Sequence, residues 1–349
     1  MSETTLKNIK YENTKAIFSE ITLSKSITRA EISEKTGLSL VTVGKIAESL
    51  IDTGIISQVL EAKPHAGRRA GSLSVNENMY MVMVDVCPDK FIVTLYNLRM
   101  ELIYIKRYDF QADIPFSENV DNIMGKILEY LLQNYDIANC LAIGVSVVGS
   151  YMKSKDIAVN SHFPEISSIN LHAKFSEYFP STDIIVSSAT NVAALYNATI
   201  IPGHKEKGIL YWYISYEIML GAFILNGNIL AGRDEKVSDF GATLCFDGLT
   251  LEDKIKISKS PEACAEEIAL ALYNTIKMMN PHAVILEIES ILPTEDFIAL
   301  IKNLLTNKYR LKGSEIPEII GSLRGGNSAH LGLAMEIRHN WLENLLYSK

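Results

Sequence analysis

The sequence predicts an α/β protein in which a small helical head precedes two halves of alternating strands and helices. Three observations lead to this prediction. The first 60 residues carry apolar side chains at helical spacing, whereas from Met79 onward strand-like runs alternate with amphipathic, helix-like stretches. Hydrophobic residues make up 48% of the 349 residues and charged residues 21%, which is typical of a globular chain with a sizeable core. The same composition excludes a mainly disordered chain.

Membrane and disulfide signals are weak in this sequence. No apolar run approaches the roughly 20 residues needed to span a bilayer, so we expect no membrane contact. The first residues lack the apolar stretch of a secretory signal, and a cytoplasmic location is therefore expected. The four cysteines are scattered and form no C-x-x-C pair, which favours reduced thiols over a disulfide framework.

Charge is unevenly distributed along the chain, whose formal net charge is −8. Residues 1–75 carry ten Lys and Arg against eight Asp and Glu, so the rest of the chain is strongly acidic. A slightly basic head on an acidic body indicates that any contact with a polyanion lies in the N-terminal part.

Capping residues divide the head into three predicted helices. Asn13 is predicted to cap the first. Thr28, with Glu31 three residues later, forms a capping box at the start of the second, which stops at Gly37. Ser39 is predicted to cap the third helix.

The second and third predicted helices have the layout of a helix-turn-helix, the DNA-reading unit of many regulators. In the third helix Val43, Ile46 and Leu50 share one apolar face, so its first turn is free to enter the major groove. We therefore expect a double-stranded DNA operator as a partner, with a plain three-helix packing unit as the alternative. The candidate contacts to phosphates and base edges are Arg29, Ser39, Val41, Thr42 and Lys45.

A hairpin follows these helices, as in a winged helix. Two short strands, at 55–60 and 72–75, flank a polar loop whose tip reads Gly67, Arg68, Arg69. Paired arginines beside a glycine are suited to a narrow minor groove, so Arg68 and Arg69 complete the candidate DNA contacts. The alternative is a solvated basic loop.

Gly44 is an unusual residue for the middle of a recognition helix. A glycine there costs up to about 1 kcal/mol of helix stability relative to alanine. Either the backbone approaches DNA closely at this position or the position has simply drifted.

With these features the sequence resembles transcriptional regulators of the ROK family (repressors, open reading frames and sugar kinases). The resemblance rests on the helix-turn-helix, the Gly-Arg-Arg wing and motifs spread over nearly the whole chain. These motifs are Met83–Val86, Ile143–Gly149, Asn191–Leu195, Gly221–Gly227 and Leu331–Ala334.

The resemblance implies an actin-like (ribonuclease H-like) body of two α/β lobes with a sugar-binding cleft between them. We expect a winged helix-turn-helix domain over 1–77, a first lobe over 78–200 together with 329–349, and a second lobe over 201–328. Family kinases also bind ATP in the cleft.

The family's catalytic motif is not retained. The resemblance places the kinases' Glu-Asn-Asp at Ser187, Ser188 and Ala189. The Asp of that motif is the general base for the sugar hydroxyl, and alanine cannot accept a proton.

The nucleotide motifs differ as well. In the first phosphate hairpin Pro88 has no N–H to offer, and in the second Glu217 would repel phosphate. Glu287 and Ile288 stand where the family has a Gly-Gly on the adenosine side. We therefore expect no ATP binding, no cofactor and no enzymatic activity.

The structural zinc of the family is not expected either. Ala242 stands at the place of its histidine, and Cys245 is the only local thiol, so a tetrahedral site is not expected here. Cys245 is predicted to be a core residue.

Three polar residues remain at the places of the family's sugar site: Ser188, Asn191 and Asp239. They are candidates for orienting a small polyol-like ligand. The alternative for Asn191 is a purely structural role at the start of a helix. Asn160 and His162 are further candidates, with a surface position as the alternative.

Three functions compete. The first is a DNA-binding regulator, in our prediction a repressor of carbohydrate-metabolism genes. Its catalytically dead body would sense a sugar or sugar phosphate and form a homodimer or homotetramer. The alternatives are an active ROK sugar kinase, and a regulator whose body only oligomerises.

Overall fold

The computed structural model describes residues 3–60, 71–215, 217–236, 238–245, 247–258, 260–289, 294–323 and 328–347. It confirms the predicted fold class, because a winged helical head is followed by two α/β lobes built on separate five-stranded sheets.

The head combines three helices with a three-stranded antiparallel sheet. Its elements are α1 (Glu3–Leu23), β1 (Ile27–Thr28), α2 (Arg29–Thr36), α3 (Leu40–Asp52), β2 (Ile56–Leu60) and β3 (Gly71–Val75). The strand order is β1-β3-β2, so the hairpin of β2 and β3 is joined by the short strand before α2. This is the architecture of a winged helix.

Local capping shapes the head largely as predicted. Thr28 and Glu31 form a reciprocal capping box, and Gly37 ends α2 with a left-handed φ of 71°. The prediction that Asn13 caps the first helix is wrong, because α1 already begins at Glu3. Burial of Ile17 and other apolar residues of α1 outweighs the low helix propensity of an interior asparagine.

The first lobe is a mixed sheet with helices on both faces. Its elements are β4 (Tyr80–Val86), β5 (Lys90–Asn97), β6 (Leu102–Asp109), α4 (Phe116–Asn134), β7 (Cys140–Val147), β8 (Ser150–Met152), β9 (Ile157–Val159), α5 (Leu171–Tyr178), β10 (Ile184–Ser188) and α6 (Ala189–Ala198). The order is β10-β7-β4-β5-β6, with β4, β7 and β10 parallel. The carboxyl ends of these three strands therefore meet at one edge, where ligands of open α/β sheets bind.

The second lobe repeats this plan and returns the chain to the first. Its elements are β11 (Gly208–Ile214), β12 (Met219–Leu225), β13 (Asn228–Ile229), α7 (Leu251–Ile257), α8 (Pro261–Met279), β14 (Ala283–Ile288), α9 (Thr294–Asn303) and β15 (Glu318–Gly321), followed by α10 (Ser328–Tyr347). The strand order is β13-β12-β11-β14-β15.

Helix α10 packs on α6 and on the first sheet rather than on the second lobe. Gly332 permits the close crossing with α6, because a Cβ there would lie only 2.1 Å from the carbonyl oxygen of Val192. Leu333 and Ile337 lie over Gly144 in β7. Within the described ranges no helix is long and apolar enough to cross a membrane.

Candidate DNA-binding and ligand-binding sites

The start of α3 is presented to solvent as a recognition helix requires. Val43, Ile46 and Leu50 are buried in the head, which fixes the opposite face outward. Ser39 is the N-cap, and its hydroxyl accepts a hydrogen bond from the backbone N–H of Thr42 at 3.2 Å. Val41 is 68% exposed, so its methyl groups are available for an apolar contact such as a thymine methyl.

Gly44 and Lys45 continue this outward surface. An added Cβ on Gly44 would meet no atom within 4 Å, so internal packing gives no reason for a glycine there. Lys45 is exposed. It lines a groove of about 250 Å³ between α1, α3 and the end of α10, together with Lys10. Lys10 was not among the DNA-contact candidates from the sequence, because its proximity to Lys45 depends on how α1 crosses α3.

Arg29 lies beside the wing strand β2. The guanidinium of Arg29 donates a hydrogen bond to the side-chain oxygen of Gln58 at 3.2 Å, and this links the start of α2 to the wing strand β2. Arg68 and Arg69 lie outside the described residues.

At the carboxyl edge of the first sheet, polar side chains from β4, β7 and α10 contact one another. Asp85 and Ser146 are register partners on β4 and β7, and the Ser146 hydroxyl donates to the Asp85 carboxylate. The other oxygen of Asp85 contacts the imidazole of His330 from α10. Thr94 lies 3.4 Å from the second ring nitrogen of His330. Both oxygens of Asp85 therefore already have protein partners.

Ser188 and Asn191 occupy different environments beside this cluster. Ser188 is buried, and its hydroxyl donates to the carbonyl oxygen of Gly149 at 2.6 Å. The side-chain oxygen of Asn191 is buried and has no hydrogen-bond partner among the residues that the structure describes. A buried acceptor without a partner is costly, so this oxygen is the better candidate for binding a ligand hydroxyl.

The loop after β9 carries Asn160 and His162 toward the second lobe. Asn160 is buried; its amide group donates to the carbonyl of Val148 at 2.9 Å and accepts from the backbone N–H of His162 at 2.8 Å. The imidazole of His162 then lies 3.3 Å from the carboxylate of Glu252 on α7. The loop is thereby fixed against the second lobe.

Glu252 is the functional candidate that sequence analysis missed. It is only 8% exposed, and one carboxylate oxygen accepts no hydrogen bond from any described residue, although the Lys256 ammonium lies 3.8 Å from it. Its backbone N–H donates to the carbonyl of Gly241, two residues after Asp239. In the sequence Glu252 looks like an ordinary acidic residue of a helix first turn, so only its burial singles it out.

Asp239 is exposed, and one oxygen of its carboxylate accepts from the backbone N–H of Ala242 at 3.2 Å. The predicted ligand residues therefore lie on both lobes: Ser188 and Asn191 on the first, Asp239 on the second. The His162–Glu252 contact joins the two sides.

The place of the family's adenosine contacts holds a buried carboxylate. Glu287 is 5% exposed and accepts hydrogen bonds from the Tyr211 hydroxyl at 2.9 Å and from the Asn197 amide at 3.4 Å. Burial and this neighbouring carboxylate raise the pKa of Tyr211 well above its ordinary value.

The cysteines behave as packing residues. Burial raises the pKa of Cys87 to about 12, and Cys264 is fully buried on α8. Cys245 is half-buried and packs against the core of the second lobe. In the part of the chain that the structure describes, no group of three His, Cys, Asp or Glu side chains is placed to hold a metal ion.

Sequence comparison finds two xylose repressors among the relatives. The chain is 24% identical to a xylose repressor of Bacillus spizizenii and 23% identical to one of Bacillus subtilis, each over 246 residues. The match covers 69% of this chain. It covers 62% of each xylose repressor, which is less than two thirds of that relative's length. No protein-family model matches the chain.

Structural comparison finds the same architecture throughout. A ROK family transcriptional regulator, described as a homolog of the E. coli MLC protein, matches 97% of this chain and 98% of its own, with a TM-score of 0.70 at 15% identity. A ROK family protein from Streptococcus pneumoniae in complex with sucrose matches 76% of this chain and 99% of its own, with a TM-score of 0.60 at 14% identity. A ROK family glucokinase from Streptomyces griseus in complex with glucose and AMPPNP matches 74% of this chain and 99% of its own (TM-score 0.59, 12% identity). The comparisons confirm the resemblance found in the sequence.

Proposed function

We propose that this chain, which resembles the ROK regulators in sequence and fold, is a sugar-responsive transcriptional repressor. Its head binds a double-stranded DNA operator, and its body binds a sugar or sugar phosphate without phosphorylating it. One observation supports the proposal: the first turn of α3 is presented outward, while Ala189 stands where the resemblance places the kinases' general base.

In this proposal the DNA contacts are Arg29, Ser39, Val41, Thr42, Lys45, Arg68 and Arg69, with Lys10 added. The ligand contacts are Ser188, Asn191 and Asp239, to which we add Glu252. The proposed domains are 1–77, 78–200 together with 329–349, and 201–328. A homodimer or homotetramer brings two heads to a near-palindromic site.

The ligand is proposed to act by differential binding to two arrangements of the lobes. A sugar that contacts Asn191 on the first lobe and Glu252 on the second changes their relative position only if its affinity differs between the two arrangements. In this proposal the two acceptors are the side-chain oxygens of Asn191 and Glu252, which accept no hydrogen bond from the described residues, and the Lys256 ammonium lies 3.8 Å from that of Glu252.

The decisive experiment is unbiased operator selection from random duplexes with the purified chain, repeated with xylose, glucose, sucrose and their phosphates. We expect one enriched near-palindromic motif whose affinity changes with one of these sugars. A chain that enriches no motif is not a sequence-specific regulator, and a motif insensitive to every sugar leaves only the DNA-binding part of the proposal.

The competing sugar kinase is tested by ADP release over the same sugars. We expect none from the wild-type chain. We also expect none from Ala189→Asp, because restoring a base leaves the nucleotide motifs altered at Pro88, Glu217 and Glu287. Turnover above that of a heat-denatured sample would establish a kinase.

A further inference from the structure

The turn between β5 and β6 holds the end of the head's first helix. The guanidinium of Arg99 donates to the backbone carbonyls of Thr22 at 3.0 Å and Lys25 at 3.1 Å, and it also contacts those of Ile21 and Ser24. The last carbonyls of a helix have no partners within the helix and carry partial negative charge. Arg99 of the first lobe thus caps helix α1 of the head.

The last turns of α10 hold the same helix from another side. His339 shares a hydrogen bond with the Tyr11 hydroxyl, and the Trp341 ring lies 6.4 Å from that of Phe18. The Arg338 guanidinium lies 5.2 Å from the centre of the Phe18 ring and donates to the Thr22 hydroxyl at 3.4 Å. These contacts fix α1 along its length.

A single hydrophobic cluster continues through this junction. It contains buried residues of the head, of β4, β5 and β7, and of α10, and has no break at the boundary between head and lobe. Its members near the junction include Phe18, Ile21, Val75, Met81, Met83, Tyr96, Leu98, Ile337 and Leu342. Interfaces that are large and apolar suppress the relative motion expected of separate domains.

The second lobe holds the head far less firmly. Lys205, in the turn that leads into β11, lies 3.8 Å from the carboxylate of Glu12, and both side chains are 59% exposed. Exposed ion pairs contribute little to stability. The head is therefore bound to one lobe and only touches the other.

We infer that the head and the first lobe form one rigid body, clamped by Arg99 and by the last turns of α10. Helix α10 begins at the cleft, where His330 contacts Asp85, and ends on α1 of the head. Given the proposed function, a ligand changes DNA binding by turning this whole unit relative to the second lobe, and so respacing two heads. It does not act by releasing the head on a flexible linker.

The test is hydrogen exchange of the full chain without DNA or sugar, followed by mass spectrometry at increasing subdenaturing guanidinium. In the wild type we expect buried amides of α1 and α3 to open together with those of β4 and β7, as one cooperative unit. Head amides that open separately, with a lower free energy, would overturn the inference. The result is independent of the proposed function because no ligand is involved.

Two variants sharpen this test. Arg99→Met should speed exchange of the end of α1 by at least about tenfold, since it removes several hydrogen bonds from a charged group. Arg107→Met is the matched control. The ion-pair partners that the structure describes for this arginine on β6 are Asp89 and Asp109, and neither belongs to the head. If Arg99→Met does not fold, Tyr11→Phe should give a smaller acceleration in the same segment. Equal exchange in Arg99→Met and Arg107→Met, or in Tyr11→Phe and the wild type, would refute the clamp.

Discussion

The imidazole of His162 lies 3.3 Å from the carboxylate of Glu252, and this pair connects the first lobe to the second. His162 occupies one oxygen of the carboxylate, while the other is buried and accepts no hydrogen bond from the described residues. The Lys256 ammonium lies 3.8 Å from this second oxygen. A carboxylate oxygen at a junction of lobes is suited to a sugar hydroxyl, because hydrogen bonds to charged groups are the stronger kind.

Glu252→Gln should therefore weaken sugar binding. For the sugar that most stabilises the wild-type chain, we expect the dissociation constant to rise by about tenfold or more. Titration by thermal shift or calorimetry measures this change. Glu266→Gln is the control, since that exposed glutamate on α8 pairs with Lys308 at 2.9 Å. Equal affinities of the two variants would remove Glu252 from the site.

Gly44→Ala separates the two explanations for the glycine in the recognition helix. The added methyl group meets no atom of the protein, so the variant should be more stable by about 0.5–1 kcal/mol. Gly125→Ala, in the middle of α4 and equally unobstructed, should gain a similar amount. Chemical denaturation measures both.

Only Gly44→Ala should also lower operator affinity, because only that backbone is placed to approach DNA closely. We expect a loss of at least about tenfold in a gel-shift or fluorescence titration, which corresponds to about 1.4 kcal/mol. Unchanged DNA affinity would mean that the glycine is a drifted residue.

Lys45→Ala should reduce the salt dependence of DNA binding. Each phosphate neutralised by a lysine adds about one to the slope of log affinity against log salt, so the slope should fall by roughly one. Lys126→Ala removes the same charge from the exposed surface of α4 and should leave the slope unchanged. A larger loss on the operator than on random DNA would instead assign Lys45 to base recognition.

Glu336 makes stability depend on pH in a direction set by its burial. Burial raises the pKa of this carboxyl above its ordinary value, and the hydrogen bond from Ser187 at 2.6 Å opposes the shift. The folded state therefore binds the proton more tightly than the unfolded state. The stability gained from this proton is fully present below the pKa that the Glu336 carboxyl has in the unfolded chain. It is lost as the pH rises through the higher pKa of the same carboxyl in the folded chain.

Glu336→Gln keeps an acceptor for Ser187 and removes the titration. We expect a melting temperature higher by roughly 1–2 °C at pH 8, equivalent to about 1 kcal/mol for a chain of this length, with little difference at pH 4. Glu129→Gln, an exposed change on α4, should alter neither value. A Glu336→Gln variant less stable than the wild type at pH 8 would contradict the argument.

Local signals account for what the sequence predicted well. A helix cap depends only on residues within one helical turn of it. The structure confirms these predicted caps: Thr28 with Glu31 at the start of α2, Gly37 at its end, and Ser39 at the start of α3. The short strand β1 was missed because two residues carry no periodicity and are ordered only by pairing with β3.

Long-range proximity accounts for what the sequence did not reveal. His330 and Asp85 are separated by 245 positions and meet only because α10 returns to the first sheet. Glu252 became a candidate only through burial and an unpaired oxygen. Capping and periodicity report on neighbours along the chain. Neither pattern therefore carries information about contacts between residues that are distant in the sequence.

The core that runs unbroken from α1 into the first sheet has a consequence for engineering. Regulators are often rebuilt by exchanging the DNA reader at the linker, which for this chain falls between β3 and β4. A foreign reader joined there would lack partners for Trp341, Arg338 and Arg99, three side chains shaped to the native α1. A working hybrid must also transplant the β5–β6 turn and the end of α10, segments more than twenty and 250 positions downstream of the splice.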